Sequence, residues 1–182
     1  MVSKVYPDSG SFRRLRRSGH ERFESVANAL AKVPEDVDLV AVHDAVRPLT
    51  TSLQIDAVFR KAAETGAAML ALQAADTLKK VEQGVIVGTV PRDGVWQAQT
   101  PQVFRRDWLV EAYAKRTGTV TDDAQLIEAL GHSVSVVPGS AFNFKITTQD
   151  DLKLADAVMQ SRKKPGAAKP MPLFFDDEPK WD

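Results

Sequence analysis

The segment that most constrains the fold is a short apolar run that ends abruptly in a charged turn closed by proline. Leu39-Val40-Ala41-Val42 is followed directly by His43-Asp44-Ala45-Val46-Arg47-Pro48. Aliphatic residues without polar alternation are typical of a strand covered on both faces, as in a parallel sheet flanked by helices. Ligands of open α/β sheets bind beyond the carboxyl ends of such strands. The sequence therefore predicts that Asp44 and Arg47 lie at a working edge of the sheet.

Two interpretations of this turn are open from the residues alone. In the first, the Asp44 carboxylate holds a hard cation such as Mg²⁺, and the Arg47 guanidinium grips phosphate through its planar fork. In the second, Asp44 caps nearby backbone amides and pairs with Arg47, because aspartate and proline are also ordinary turn residues. The choice between them depends on the rest of the chain.

Composition limits the partners and the compartment. At 182 residues the chain suits one domain, and its 24 Lys and Arg balance 24 Asp and Glu, so no overall field recruits nucleic acid or an anionic membrane. The absence of cysteine excludes thiolate metal sites and a cysteine nucleophile, and it fits a reducing compartment. No apolar run approaches a membrane span or a secretory leader. We expect a cytoplasmic protein without nucleic-acid or membrane partners, whose metal ligands are oxygen atoms.

Strand and helix patterns alternate after the opening run. Thr50-Thr51-Ser52 predicts a hydroxyl cap for a helix to about Glu64, which Gly66 ends, and Ala67–Leu72 is a second apolar run. This strand, helix, strand unit predicts the α/β class with a mostly parallel sheet flanked by helices. Later patterns predict a helix carrying Phe104 and Trp108, and then a helix that is capped by Thr121-Asp122-Asp123 and runs through Leu130. They also predict strands at Val134–Pro138 and Phe144–Ile146, and a last helix from Thr148 with Leu152, Leu154, Ala155 and Val158 inward.

One segment breaks this alternation. Residues 76–81 and 85–90 read as two strands that turn at Gln83-Gly84, giving a hairpin arm at about 75–92. An arm with so little apolar area is only marginally stable alone, so we expect it to pack on a partner subunit of a homodimer. The alternative is a hairpin folded back on its own domain.

The predicted domain runs from 19 to 162. Residues 1–18 contain arginines but almost no apolar periodicity, which predicts a poorly ordered or atypical N-terminal segment. Residues 163–182 are rich in Lys, Pro, Asp and Glu, which predicts a disordered or extended C-terminal tail.

Several short motifs, in order and at characteristic spacing, resemble one enzyme family over about residues 19–160. They are Gly19-His20-Glu21-Arg22 with Ser25-Val26, Val42–Pro48, Asp76-Thr77, Trp96–Gln102, Thr121-Asp122-Asp123 and Asn143–Thr147. The chain resembles 2-C-methyl-D-erythritol 4-phosphate cytidylyltransferases, which have a Rossmann-like nucleotidyltransferase fold. Each motif is weak alone, but their ordered combination is specific.

The resemblance implies transfer of a cytidylyl group from CTP to a sugar phosphate in non-mevalonate isoprenoid biosynthesis, with release of pyrophosphate and with Mg²⁺ or a similar divalent cation. It also implies a homodimer whose arm reaches the other subunit, so that Thr77 and Arg92 act in the partner's site. By match to the family motifs, the resemblance implies that Gly19, Ser25 and Asp44 bind the nucleotide and that Asp44 is also the metal ligand. The implied catalytic residues are Asp44, Arg47 and Lys145. The implied substrate-binding residues are Thr77, Arg92, Thr100, Thr121 and Lys145. In-line displacement at phosphorus needs positioned polyanions and neutralised charge, which such residues supply.

The family usually opens with a strand and a glycine-rich basic loop ending in Pro-Lys, and no residues before Gly19 match it. Three explanations are open: a missing N-terminal segment, a natural relative of low activity, or an atypical loop built around Gly10. We expect the first. Two other functions are also open, a ribitol 5-phosphate cytidylyltransferase and a non-catalytic dimeric module that binds nucleotide or sugar phosphate.

Overall fold

A computed structural model of the chain describes residues 22–118, 120 and 122–163. The predicted segment 1–18 and the tail beyond Lys163 lie outside these residues, so both predictions stay untested. The elements, in chain order, are α1 (Arg22–Leu30), β1 (Leu39–Val42), α2 (Ser52–Thr65), β2 (Ala67–Gln73), β3 (Leu78–Glu82), β4 (Val85–Val90), β5 (Trp96–Arg105), α3 (Arg106–Ala114), α4 (Ala124–Ala129), β6 (Ser135–Pro138) and α5 (Gln149–Lys163). None of the helices in this part of the chain has the length and apolarity to span a bilayer.

Four strands form the main sheet in the order β1-β5-β2-β6. Strand β5 runs antiparallel to both β1 and β2, and β2 is parallel to β6. Three strands therefore point the same way and bring their carboxyl ends to one edge, where β5 begins. The predicted α/β class with a mostly parallel sheet is confirmed, and β5 is the exception that separates β1 from β2.

Helices cover both faces of this sheet because neighbouring residues of β2 point to opposite sides. Ala68 and Leu70 pack with Val58 and Ala62 of α2 on one face. On the other face Ala67, Met69 and Ala71 join residues of β5, α1, α3 and α4, with Phe104 fully buried at the centre. Strand β1 contributes to both layers, although it lies at the edge of the sheet and Ala41 is exposed.

Helix α2 begins and ends where its sequence predicts. Thr51 is its N-cap: the side-chain hydroxyl accepts from the Gln54 amide at 3.3 Å, and the Gln54 side chain accepts from the Thr51 amide at 3.1 Å. This reciprocal pair is a capping box, which satisfies two amides that the helix itself leaves without acceptors. Gly66 ends the helix with a φ of 87°, a conformation that glycine adopts without steric cost.

We expect Thr51→Ala to lower the free energy of unfolding by about 1 kcal/mol, because it removes the acceptor of this capping box. Urea denaturation followed by circular dichroism measures the change. Ser52→Ala is the matched control at the next, exposed position, and it should stay within about 0.5 kcal/mol of the wild type. Equal stabilities of the two variants would contradict the role of the cap.

The predicted hairpin arm is present. Strands β3 and β4 pair antiparallel and form a separate two-stranded sheet. Gln83 and Gly84 both have positive φ, at 51° and 81°, as the tight turn of a two-residue hairpin requires. The expectation that the arm has little apolar area was wrong, because five of its large apolar side chains are exposed, those of Val81, Val85, Ile86, Val87 and Val90.

Three local predictions were wrong. Phe104 lies in β5 rather than in the following helix, because pairing with β1 and β2 extends that strand to Arg105. Residues 144–146 form no strand. Their link to the turn after β1 is one backbone hydrogen bond, from the Ile146 amide to the Val46 carbonyl oxygen. In α5, Ala155 and Val158 are buried, but Leu152 and Leu154 are about half exposed, since they lie on sides of the helix away from the core.

Candidate active site

Asp44 lies one residue beyond His43, which follows β1, at the edge where the three parallel strands end. Its amide donates to the Thr100 hydroxyl of β5 at 3.0 Å, and its side chain is only 11% exposed. The same hydroxyl lies 3.0 Å from Nδ1 of His43. His43 Nε2 is also 3.2 Å from the Arg47 carbonyl oxygen. The turn after β1 is therefore held against β5, and Asp44 has a fixed backbone position.

Three cations surround the Asp44 carboxylate. Lys145 Nζ is 3.0 Å from Oδ2, and Arg47 Nε is 3.3 Å from the same oxygen. Arg22 Nε of α1 is 3.5 Å from Oδ1. Burial by itself raises the pKa of Asp44, but Lys145 and the two arginines outweigh this effect and hold the pKa below its usual range. Asp44 is therefore ionised at neutral pH despite its low exposure.

Arg47 is a buried support for this edge. Its side chain is 10% exposed, and Nη1 donates to the Asn143 carbonyl oxygen at 2.5 Å. Nη2 donates to the Ala98 carbonyl oxygen at 3.5 Å, and Nε faces Asp44. A guanidinium committed to two carbonyls and a carboxylate fixes the spacing of three chain segments. This geometry favours a positioning role over the phosphate grip that the sequence suggested.

Asn143 attaches the segment that carries Lys145. It is fully buried, and its Nδ2 donates to the Thr100 carbonyl oxygen at 2.9 Å and to Gln99 Oε1 at 3.3 Å. Its Oδ1 accepts from the Thr50 hydroxyl at 2.8 Å. Because Asn143 is bonded to β5 and to Thr50 just before α2, Lys145, two residues later, is held where its Nζ meets Asp44.

These residues line one pocket at the edge of the sheet. Its walls are Arg22, Asp44, Arg47, Ala98, Thr100, Gln102, Asp122 and Lys145. Three cationic and two acidic side chains thus face a common space. Such a surface suits an anionic ligand, because fixed cations offset its charge while a carboxylate orients any accompanying cation.

Asp44 can help to hold a divalent cation only if a bound phosphate and water supply most of the other ligands. No cluster of three or more His, Cys, Asp or Glu residues that could hold a metal occurs among the described residues. Mg²⁺ commonly takes one or two protein carboxylates and completes its coordination with phosphate oxygens and water. The pocket supplies Asp44 and Asp122, so the residues fit a cation that arrives with a phosphate ligand.

The predicted site residues fall into four groups. Asp44, Arg47, Thr100 and Lys145 meet around the pocket. Ser25 lies half-buried on α1, three residues after Arg22 and hence on the same side of the helix. Thr77 and Arg92 are exposed at the base of the arm, where Arg92 donates to the Ala75 carbonyl oxygen, and they do not line the pocket. Gly19 and Thr121 lie outside the described residues.

Four further residues of the site were not predicted. Arg22, Gln102, Asp122 and Asn143 all belong to the motifs noted above, so their positions in those motifs were the available signal. Gln102 is almost fully buried, and its Oε1 accepts a hydrogen bond from the Ala124 amide at 3.0 Å. Arg22, in the first turn of α1, joins the site through its Nε, which lies 3.5 Å from Asp44 Oδ1.

The family model described as 2-C-methyl-D-erythritol 4-phosphate cytidylyltransferase matches residues 13–161. Relatives of that name include one from Solibacter usitatus, 45% identical over 167 residues, with coverage of 88% of this chain and 68% of the relative. A second, from Lysinibacillus sphaericus, is 45% identical over 81% of this chain and 65% of its own length. A third, from Salinibacter ruber, is 45% identical, and this chain spans 60% of its length.

Solved structures agree with this likeness. The crystal structure of 2-C-methyl-D-erythritol 4-phosphate cytidylyltransferase from Thermus thermophilus superposes with a TM-score of 0.73 and 39% identity, over 78% of this chain and 71% of that one. The corresponding enzyme of Francisella tularensis gives a TM-score of 0.68 and 38% identity, over 76% and 68% of the two chains. The chain therefore spans between about three fifths and seven tenths of the length of these proteins.

Proposed function

The chain belongs to the 2-C-methyl-D-erythritol 4-phosphate cytidylyltransferase family, and we propose that it catalyses the reaction for which that family is named. The substrates are CTP and 2-C-methyl-D-erythritol 4-phosphate, and the products are 4-diphosphocytidyl-2-C-methylerythritol and pyrophosphate. The observation that carries the proposal is the ring of Arg22, Arg47 and Lys145 around Asp44 at the sheet edge. We also propose that the protein works in the cytoplasm.

In the proposed reaction, a phosphate oxygen of the sugar phosphate attacks the α-phosphorus of CTP. A new P–O bond forms as the bond from the α-phosphorus to the bridging oxygen of pyrophosphate breaks, so the protein needs no covalent intermediate. Its task is to bring two polyanions together and to offset their repulsion. Lys145 is 48% exposed and stands over the pocket, where its ammonium group would neutralise the charge that develops between the two phosphates.

Asp44 would orient the cation that accompanies the nucleotide. Mg²⁺, when bound, neutralises phosphate charge and polarises the reacting phosphoryl group. Asp44 is kept ionised by its neighbours, and Thr100 and Arg47 keep it in place. Gly19 and Ser25 are the proposed contacts to the nucleoside, and Thr100, Thr121 and Lys145 those to the sugar phosphate.

A turnover assay with the full chain tests the proposal. CTP, Mg²⁺ and 2-C-methyl-D-erythritol 4-phosphate should release pyrophosphate, whereas ribitol 5-phosphate should give a much lower rate. Faster turnover with ribitol 5-phosphate would reassign the substrate. Calorimetric binding of CTP without pyrophosphate release from either substrate would instead identify a non-catalytic binding module.

We further propose a homodimer in which the arm reaches the other subunit. The support is the exposed apolar surface of β3 and β4, which pair with no other strand in the described part of the chain. Exposed apolar area concentrated on an arm is typical of a protein interface. Thr77 and Arg92, at the base of this arm, would then bind the sugar phosphate in the partner's site.

We expect Ile86→Asp to convert the dimer to a monomer, because Ile86 is 61% exposed on the arm and burial of a new carboxylate in the interface is unfavourable. Analytical ultracentrifugation measures the mass in solution. Lys80→Gln, a polar change on the same arm, is the control and should leave the mass unchanged. A dimeric Ile86→Asp variant would contradict an interface at this position.

A mixing experiment tests the role of Arg92 in the partner's site. Chains with Asp44→Asn and chains with Arg92→Ala should each be nearly inactive, since each lacks one half of every site. After subunit exchange, about a quarter of the wild-type activity should return, because half of the dimers are mixed and each mixed dimer has one intact site. A mixture no more active than its two components would place Arg92 in its own subunit's site.

A further inference from the structure

Asp123 has a buried carboxyl group that does not cap α4, the helix that it precedes. It is the N-cap of α4 and fully buried, yet its side chain makes no capping hydrogen bond. The neighbouring Asp122 does the capping instead, since its Oδ1 accepts from the Gln125 amide at 3.0 Å. A charged group without exposure is costly to a fold unless it is paired, so the partners of Asp123 must account for its burial.

Both oxygens of Asp123 are engaged by side chains from other helices. Arg22 Nη2 of α1 is 2.7 Å from Oδ2, and the Tyr113 hydroxyl of α3 donates to Oδ1 at 2.5 Å. Burial raises the pKa of Tyr113, and the adjacent carboxylate raises it further. Tyr113 therefore stays protonated and acts as a permanent donor. The carboxylate is fixed at two points and can hold Arg22 in one orientation.

The other end of the Arg22 guanidinium faces Asp44. Nε is 3.5 Å from Asp44 Oδ1, while Nη2 is on Asp123. A guanidinium is planar and rigid, so fixing one of its nitrogens restricts the others. The next residue of α1 is also held, because the Arg116 guanidinium lies 3.8 Å from the centre of the Phe23 ring.

We propose that Asp123 and Tyr113 are positioning residues that act through Arg22 to hold the Asp44 carboxylate in place for the nucleotide. This inference rests on the proposed function, because it assigns these residues to the same reaction. If the ion pair served only to join α1 to α4, Arg22 and Asp123 would be enough, and Arg22 would not also need to contact Asp44. Here Arg22 is 36% exposed, lines the pocket and contacts the edge carboxylate as well.

The chain offers variants that separate positioning from simple support. Asp123→Asn weakens the hold on Arg22, and Tyr113→Phe removes one hydroxyl while it keeps the ion pair. Arg22→Lys keeps the charge but loses the planar fork, so one ammonium cannot serve both carboxylates. Lys115→Gln is the control, since it breaks an exposed ion pair with Glu111 of α3, the helix that carries Tyr113.

Two measurements decide the inference. The first is the ¹³C resonance of the Asp44 carboxyl group in the full chain without substrates, assigned by its loss in Asp44→Asn. We expect it to move in Asp123→Asn, Tyr113→Phe and Arg22→Lys but not in Lys115→Gln. The second is pyrophosphate release, in which kcat should fall about tenfold or more in Asp123→Asn and Arg22→Lys, as it does when the partners of metal-site ligands are removed, with a smaller change in KM.

The outcomes are distinguishable from failure of the proposed function. An inactive wild-type chain counts against the proposed activity of these 182 residues, and the Asp44 resonance still decides whether Asp123 and Tyr113 position that carboxylate. An unmoved resonance in folded Asp123→Asn and Tyr113→Phe overturns the inference, as does a moved resonance with unchanged kcat in an active enzyme. If Asp123→Asn does not fold, Tyr113→Phe and Arg22→Lys decide by the same readings.

Discussion

Asp44→Asn is expected to lower kcat/KM for pyrophosphate release by about 10²- to 10³-fold, the range found when one preorganised electrostatic group is removed from an active site. The amide keeps the shape of the side chain but not its charge. Arg22, Arg47 and Lys145 then face a neutral group, so their mutual repulsion is no longer balanced. Calorimetry should also show that Mg²⁺ no longer strengthens CTP binding.

The matched control for this variant is Asp150→Asn. Asp150 forms an exposed ion pair with Lys153 on α5, with side chains 89% and 78% exposed, and surface pairs of this kind contribute little. Its rate should equal that of the wild type. A rate within twofold of wild type for Asp44→Asn would show that Asp44 takes no part in the chemistry, whatever its place in the pocket.

Asn143→Leu is expected to lower the free energy of unfolding by about 3 kcal/mol, because it removes three hydrogen bonds of a fully buried side chain. The Thr100 carbonyl loses the Asn143 donor, whereas the Thr50 hydroxyl loses its shorter hydrogen bond and keeps the one to the Arg47 carbonyl oxygen at 3.3 Å. Leucine has the same number of side-chain heavy atoms, but its methyl groups cannot approach the Thr50 and Thr100 oxygens to 2.8 and 2.9 Å, so crowding adds to the loss. Urea denaturation measures the loss, and the release of the segment that carries Lys145 should also lower the rate.

Thr50→Val isolates one part of this network. It removes the hydroxyl that donates to Asn143 but keeps the Asn143 side-chain amide in place. We therefore expect the free energy of unfolding to fall by about 1 kcal/mol. If Asn143→Leu were no less stable than Thr50→Val, the bonds of Asn143 to β5 would contribute nothing, and the segment that carries Lys145 would need another anchor.

Local patterns predicted most of the elements. The capping box at Thr51, the glycine at 66 and the turn at Gln83-Gly84 are each set by nearby residues, so their positions could be read from the sequence. The extent of β5 could not. Phe104 looks helical from its spacing to Trp108, yet hydrogen bonding to β1 and β2 keeps it in a strand, and such pairing depends on residues far away in the chain.

The candidate site divides in the same way. Asp44, Thr100 and Lys145 were found by motif, and they do meet at the pocket. The phosphate grip of Arg47 stays a prediction; in the structure its guanidinium is buried and donates to the Asn143 and Ala98 carbonyl oxygens. No local pattern shows that a guanidinium will find two carbonyl acceptors from distant segments.

The sequence by itself determined the α/β class, the ends of α2, the hairpin arm and the family, because capping, turn chemistry and motif order depend on neighbouring residues. Tertiary structure alone decided that Arg22 pairs with Asp123 beside the Asp44 edge. These residues are separated by 101 positions and meet at 2.7 Å, because α1 and α4 pack against the same face of the sheet. The buried Asp123 side chain then bonds to Arg22 of α1 and Tyr113 of α3 instead of capping α4, an arrangement that no spacing rule contains.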